Sequence, residues 1–146
     1  MKLKYRKSSS PAPFSKSQKL LKPIIPVSLS ANNLSVRYEA LIDSGADFSI
    51  FPTGIAKKLA ADLPSLKKIY FSSATGEMVE GLISHVFLNI GEGNFDTKIV
   101  FADLPGNMGI LGQCGFFDKF TVQFDLIRKE IEVKPRISLR IPNKAK

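Results

Sequence analysis

Cysteine occurs once in this chain, at Cys114, so no disulfide can form within it and a cysteine-rich zinc site is excluded. Histidine also occurs once, at His85, which removes metal motifs built on a histidine pair. No metal and no cofactor is expected. Tryptophan is absent, and 11 phenylalanines supply most of the aromatic bulk. No apolar run approaches the ~18 residues of a membrane-crossing helix. The N-terminus is basic but lacks the apolar stretch of a secretory signal. Cysteine usage gives no reason to assume an oxidising compartment, so a cytoplasmic location is the default expectation.

Acid is missing from the first 38 residues, which hold eight basic ones. The remaining 13 basic and 13 acidic residues cancel, so the net charge of +8 belongs to the N-terminal arm and its edge. Residues 1–22 mix lysines with Ser8-Ser9-Ser10-Pro11-Ala12-Pro13. Such a composition offers too little apolar surface to offset its ordering entropy, and a flexible arm is expected. Its charge allows weak attraction to nucleic acid. A nucleic-acid binder would more often carry the basic stripe on its folded body. A basic tail, residues 137–146, closes the chain.

The 146 residues, 44% of them hydrophobic, suffice for one core and not for two. Turn signals recur about every 8–12 residues between short alternating segments, which favours a closed or sandwiched β fold. Strands are expected at 24–30 and 34–42 around the turn Ala31-Asn32-Asn33, then at 49–51, 67–72, 77–90, 95–101, 109–112, 120–125 and 130–134. A helix is expected from Pro52-Thr53-Gly54 to about Leu63, capped by Thr53 and ended by Pro64. A second short helix is expected at 113–119.

One segment carries chemistry. In Ala40-Leu41-Ile42-Asp43-Ser44-Gly45-Ala46-Asp47 an apolar strand delivers a carboxylate to the edge of the core. Gly45 permits a tight turn behind it. Taken alone, this reads more readily as an ordinary Asx turn at a strand end. Two further features follow in order: a hairpin with Ala74, Thr75 and Gly76 at its tip, then Gly109-Ile110-Leu111-Gly112.

In that order and spacing, residues 24–134 resemble the retropepsin-like aspartic proteases. The stretch Leu111-Gly112 through Phe116-Phe117, with the following Phe120 to Asp125, looks most like the bacterial single-domain members. The resemblance implies an all-β half-barrel with one or two short helices, spanning 23–136, and an active site formed at the twofold axis of a homodimer. Asp43 would be catalytic, meeting its own copy. Ser44 and Gly45 would support the active-site loop. Ala46, Asp47, Ala74, Thr75 and Gly76 would bind an extended peptide. Ile110, Leu111 and Gly112 would pack behind the aspartate. Viral members usually carry Arg where this chain has Gln113, so an ion pair to Asp47 is lost.

The implied activity is aspartic endopeptidase. The partners are a second copy and a peptide or protein substrate. Two readings stay beside it: a catalytically silent dimerisation or peptide-binding module, and a small β-barrel nucleic-acid binder using the arm. No Gly-x-Ser-x-Gly elbow exists to support a serine triad with His85, which reads as structural. Cys114 reads as a small core residue, and Phe116, Phe117 and Phe120 as core.

Overall fold

The structure, a computed structural model, describes residues 1–9 and 19–136. In chain order the strands are β1 (Lys2–Lys4), β2 (Arg6–Ser9), β3 (Lys19–Lys22), β4 (Ile24–Ala31), β5 (Leu34–Ile42) and β6 (Ile50–Phe51). A helix, α1 (Thr53–Lys58), and a 3-10 turn at Leu63–Ser65 follow. Then come β7 (Lys67–Ser72), β8 (Met78–Ile90), β9 (Gly93–Phe101), β10 (Gly109–Leu111), β11 (Phe120–Asp125) and β12 (Glu130–Pro135). The all-β class expected from the sequence is the class observed, with one short α-helix among the described residues.

The chain divides into two compact units. The central one runs from Pro26 to Asp118. Its sheet has the order β4-β5-β10-β6-β9-β8-β7, and β4 also pairs with β8, which curls the sheet back on itself. The alternation that builds it is plain in β8, where Val86, Leu88 and Ile90 are buried while His85 before them and Phe87 among them are exposed. At the β4–β5 turn, Asn32 and Asn33 both take positive φ, as a two-residue hairpin demands. The Asn32 amide then donates to the carbonyl oxygens of Leu59 and Ala60, at 2.9 and 3.3 Å, capping the end of α1.

Three local expectations need correction here. The helix stops at Lys58, because Ala60 turns to φ 57° and the Ala61 amide donates to the Ala56 carbonyl. Pro52 is its N-cap, and Thr53 makes no cap. Instead the Thr53 amide and hydroxyl both donate to the Asp103 carboxylate, at 3.0 and 2.8 Å. Residues 113–119 form successive turns, not a helix: Phe117 and Asp118 donate back five residues, to the carbonyl oxygens of Gly112 and Gln113.

The terminal unit joins residues 1–25 to the chain from Lys119 on. It holds the sheet β1-β12-β11 and the separate pair β2–β3. Leu3 lies opposite Ile131, and the Val133 amide donates to the Met1 carbonyl at 2.9 Å. Ile131, Val133 and Phe120 are fully buried. So residues 2–4, 6–9 and 19–22 are strands where the sequence suggested a flexible arm. The reason is non-local: one leucine between lysines looks solvated until β12, from the other end of the chain, offers it a partner. Residues 10–18, with most of the Ser/Pro-rich stretch, and the tail 137–146 lie outside the described residues.

Candidate active site

Asp43 owes its position to two segments far apart in sequence. Strand β10 runs parallel to β5, with Gly109 opposite Ala40, Ile110 opposite Leu41 and Leu111 opposite Ile42. The next step of the ladder is the Asp43 amide, donating to the Leu111 carbonyl at 2.9 Å. The chain then turns sharply. The Ala46 amide donates to the Asp43 carbonyl at 3.2 Å, and the Gly45 amide donates to Asp43 Oδ1 at 3.0 Å. The carboxylate is thus held by backbone on a half-buried site. A side chain on Gly45 would crowd that same oxygen.

The loop after Asp43 is laced to the segment after Leu111. Gln113 donates from its amide side chain to the Ser44 carbonyl at 2.7 Å, and from its backbone to the Ala46 carbonyl at 2.8 Å. The Cys114 amide donates to the Asp47 carbonyl at 2.9 Å. Beneath them lies Ser49, almost wholly buried. Its hydroxyl donates to the Cys114 carbonyl at 3.0 Å and accepts the Gly112 amide at 3.1 Å. Leaving that amide unpaired would cost about 1–3 kcal/mol. Gly112 has no room for a side chain: a Cβ would meet the carbonyl oxygens of Phe48 and Ala46.

A cleft of about 460 Å³ opens in front of Asp43. Gly45, Ala46 and Asp47 line it from the aspartate loop, and Ala74 and Thr75 from the β7–β8 hairpin. Ile110 supplies part of its wall. The hairpin tip is a tight turn, with the Gly76 amide donating to Ser73 at 2.9 Å and Gly76 at φ 90°. Gly76 shapes the tip without lining the cleft. Leu111 and Gly112 lie buried behind the aspartate loop, and Ser44 is exposed beside it.

Besides Ser72 and Ser73 of the hairpin, sequence reasoning missed five other residues of the lining: Phe48, Ile50, Phe71, Leu104 and Pro105. These are apolar residues that a sequence pattern assigns to core, and Ile50 does pack in a core cluster with Val100 and Ala102. Asp103 was missed too. By gripping Thr53 it ties the 103–105 loop, and so Leu104 and Pro105, to the start of α1.

Two minor expectations fare differently. Cys114 is exposed, not core, because its backbone rather than its thiol is drawn into the Ser49 knot. His85 stands on the exposed face of β8, 3.3 Å from Asp96 on β9. Among the described residues no cluster of His, Cys, Asp and Glu could hold a metal ion. No helix among them is long and apolar enough to cross a membrane.

A parallel pair of apolar strands, presenting one carboxylate on a backbone-locked turn beneath a hairpin, has a match at the level of sequence. The sequence model of the family described as aspartyl protease matches residues 26–114. The chain belongs to the aspartyl protease family.

Among solved structures, the retropepsin-like aspartic protease from Rickettsia conorii superposes with a TM-score of 0.54 at 20% identity. That likeness covers 75% of this chain and 88% of the other, and it shows the shared fold. The EIAV protease in complex with the inhibitor HBY-793 gives a TM-score of 0.49 at 24% identity, over 63% of this chain and 82% of that one. The retroviral protease-like domain of Ddi1 from Leishmania major gives 0.49 at 17%, over 80% and 98%. No match is found among curated proteins.

Proposed function

We propose that this aspartyl protease is a homodimeric endopeptidase that cleaves extended peptides between the Asp43 carboxylates of two copies. The observation that carries this reading is the register of β5 on β10, which ends with Asp43 held by Leu111 and Gly45 at the head of an apolar cleft.

Peptide hydrolysis needs a base and an acid at once. A C2 axis brings one residue face to face with its own copy. Two carboxylates at close range resist full ionisation and share a proton, aspartic proteases being the known instance of this. The ionised member takes a proton from water, and the water oxygen attacks the peptide carbonyl carbon. The protonated member gives its proton to the carbonyl oxygen. Collapse of the tetrahedral species then expels the amine, which takes a proton as the C–N bond breaks.

Ser44, exposed on the single chain, is suited to hydrogen-bond across the axis. Ala46, Asp47, Ala74 and Thr75 would hold the peptide as an added strand, with its side chains in alternating pockets. The hairpin tip, with Gly76 at its bend, would close over it and exclude water.

Asp43→Asn removes the general base and tests the reading. Cleavage of fluorogenic peptides should fall by at least about 10³-fold, while the folded chain and its dimer persist. Undiminished cleavage by this variant would refute it. Peptide binding by the wild type without any turnover would leave a silent peptide-binding module.

A further inference from the structure

The cleft is acidic on a basic protein. The chain carries a net charge of +8, yet no lysine, arginine or histidine lines the cleft, and two carboxylates do. They are held very differently. Asp43 accepts the Gly45 amide. Asp47 has its backbone fixed, its carbonyl accepting the Cys114 amide at 2.9 Å. Its exposed carboxylate makes no hydrogen bond or ion pair among the described residues. The side chain of Gln113, close by in the same lacing, is spent on the Ser44 carbonyl.

Some surface carboxylates of this unit, unlike Asp47, Asp62, Glu77 and Glu92, have work inside the fold. Asp103 holds Thr53, and Asp118 Oδ1 accepts the Gly115 amide at 3.1 Å. Asp47 has none, and it stands beside apolar wall: Phe48 next in sequence, then Ile50, Phe71, Leu104 and Ile110.

We propose that Asp47 selects substrates that carry a lysine or arginine side chain next to the apolar residue seated in this cleft. This rests on the peptide-cleavage reading above. The physics is that of a long amphipathic side chain. Its methylene stem can lie along the apolar wall while its charged end reaches the free carboxylate. A bound peptide also displaces water from the cleft, which strengthens the attraction between the two charges. Before contact, an acidic cleft raises the local concentration of cationic peptides.

The test uses the full chain and a set of extended, mainly apolar peptides in which one position at a time carries Lys or its uncharged counterpart Gln. Cleavage is followed by mass spectrometry, and binding by fluorescence polarisation with the Asp43→Asn protein. At one position near the scissile bond the wild type should favour Lys by about fivefold in kcat/KM, the upper size of a partly exposed ion pair. That ratio should shrink as salt is raised. In Asp47→Asn it should fall to about one whatever the absolute rate, and Asp47→Glu should restore it.

Cleavage with no such preference, or with one that survives Asp47→Asn, overturns the proposal and leaves the endopeptidase reading standing. Lys-selective, Asp47-dependent binding without cleavage supports the charge selection and sinks the endopeptidase reading. Neither binding nor cleavage sinks both.

Discussion

The central and terminal units solve the same problem, joining distant pieces of chain, with different materials. In the central unit Gln113 reaches Ser44 across 69 residues, and the contact is one of a dense set: Gly112 on Ser49, Cys114 on Asp47, Asp43 on Leu111. Almost every bond there involves backbone, and almost every one holds the aspartate loop. In the terminal unit Met1 meets Val133 across 132 residues, and the joint is an ordinary antiparallel ladder flanked by exposed lysines and half-buried glutamates. A ladder of three residue pairs tolerates side-chain change, because the backbone does the bonding and only Leu3 and Ile131 face the core side. The knot around Asp43 tolerates very little, because the carbonyls of Asp43, Ser44, Ala46, Asp47 and Leu111 each hold a partner and Gly112 has no room for a side chain.

That contrast predicts a ranking. Gly112→Ala should do the most damage, since its methyl group would collide with the fixed carbonyl oxygens of Phe48 and Ala46. A loss of about 3 kcal/mol in urea unfolding is expected, together with loss of peptide cleavage. A variant that keeps both would show the knot to be looser than described. In the terminal unit, Ile131→Val trims one methylene from a fully buried side chain. It should cost about 1 kcal/mol by the same measurement. A loss as large as that of Gly112→Ala would erase the distinction between the units.

The smallest effect concerns Tyr5, in the terminal unit. Burial, with the Asp125 carboxylate adding to it, raises the phenol above its ordinary value of 10.0. The folded chain therefore keeps Tyr5 neutral where the unfolded chain would ionise it. Its contribution is fully present below the unfolded value and is lost as pH rises through the folded one. Tyr5→Phe should thus lose less stability than wild type when unfolding is compared at about pH 8 and about pH 10.5. Equal losses would place the Tyr5 phenol in free contact with water.

The two units also differ in how far they were legible. The central one announces itself: an apolar run into Asp43-Ser44-Gly45, a hairpin signal at Thr75-Gly76, and Ile110-Leu111-Gly112. Each is local, and only the structure shows that β10 returns beside β5. Ser49 was silent because a serine in a strand looks like any other, and only burial beside the Gly112 amide gives it a role. Phe48 and Leu104 were silent because cleft wall and core share one alphabet. The end of α1 was misjudged because an apolar face at spacing four continued through Leu63, while Asn32, from another turn, closes the helix early. In the terminal unit the β11–β12 hairpin was legible, and β1 to β3 were not. Lys2-Leu3-Lys4 contains one apolar residue, and its strand exists because β12 pairs with it.

The proposed function makes the knot around Asp43 half of a catalytic pair, and its central claim is that two copies are needed. The most direct test mixes wild-type protein with Asp43→Asn protein in equal amounts, lets subunits exchange, and measures cleavage of a fluorogenic peptide. If both carboxylates are required, only wild-type pairs work, and activity should fall to about one quarter of that of the same total amount of wild type. A fall to about one half, as independent subunits would give, would contradict the paired site.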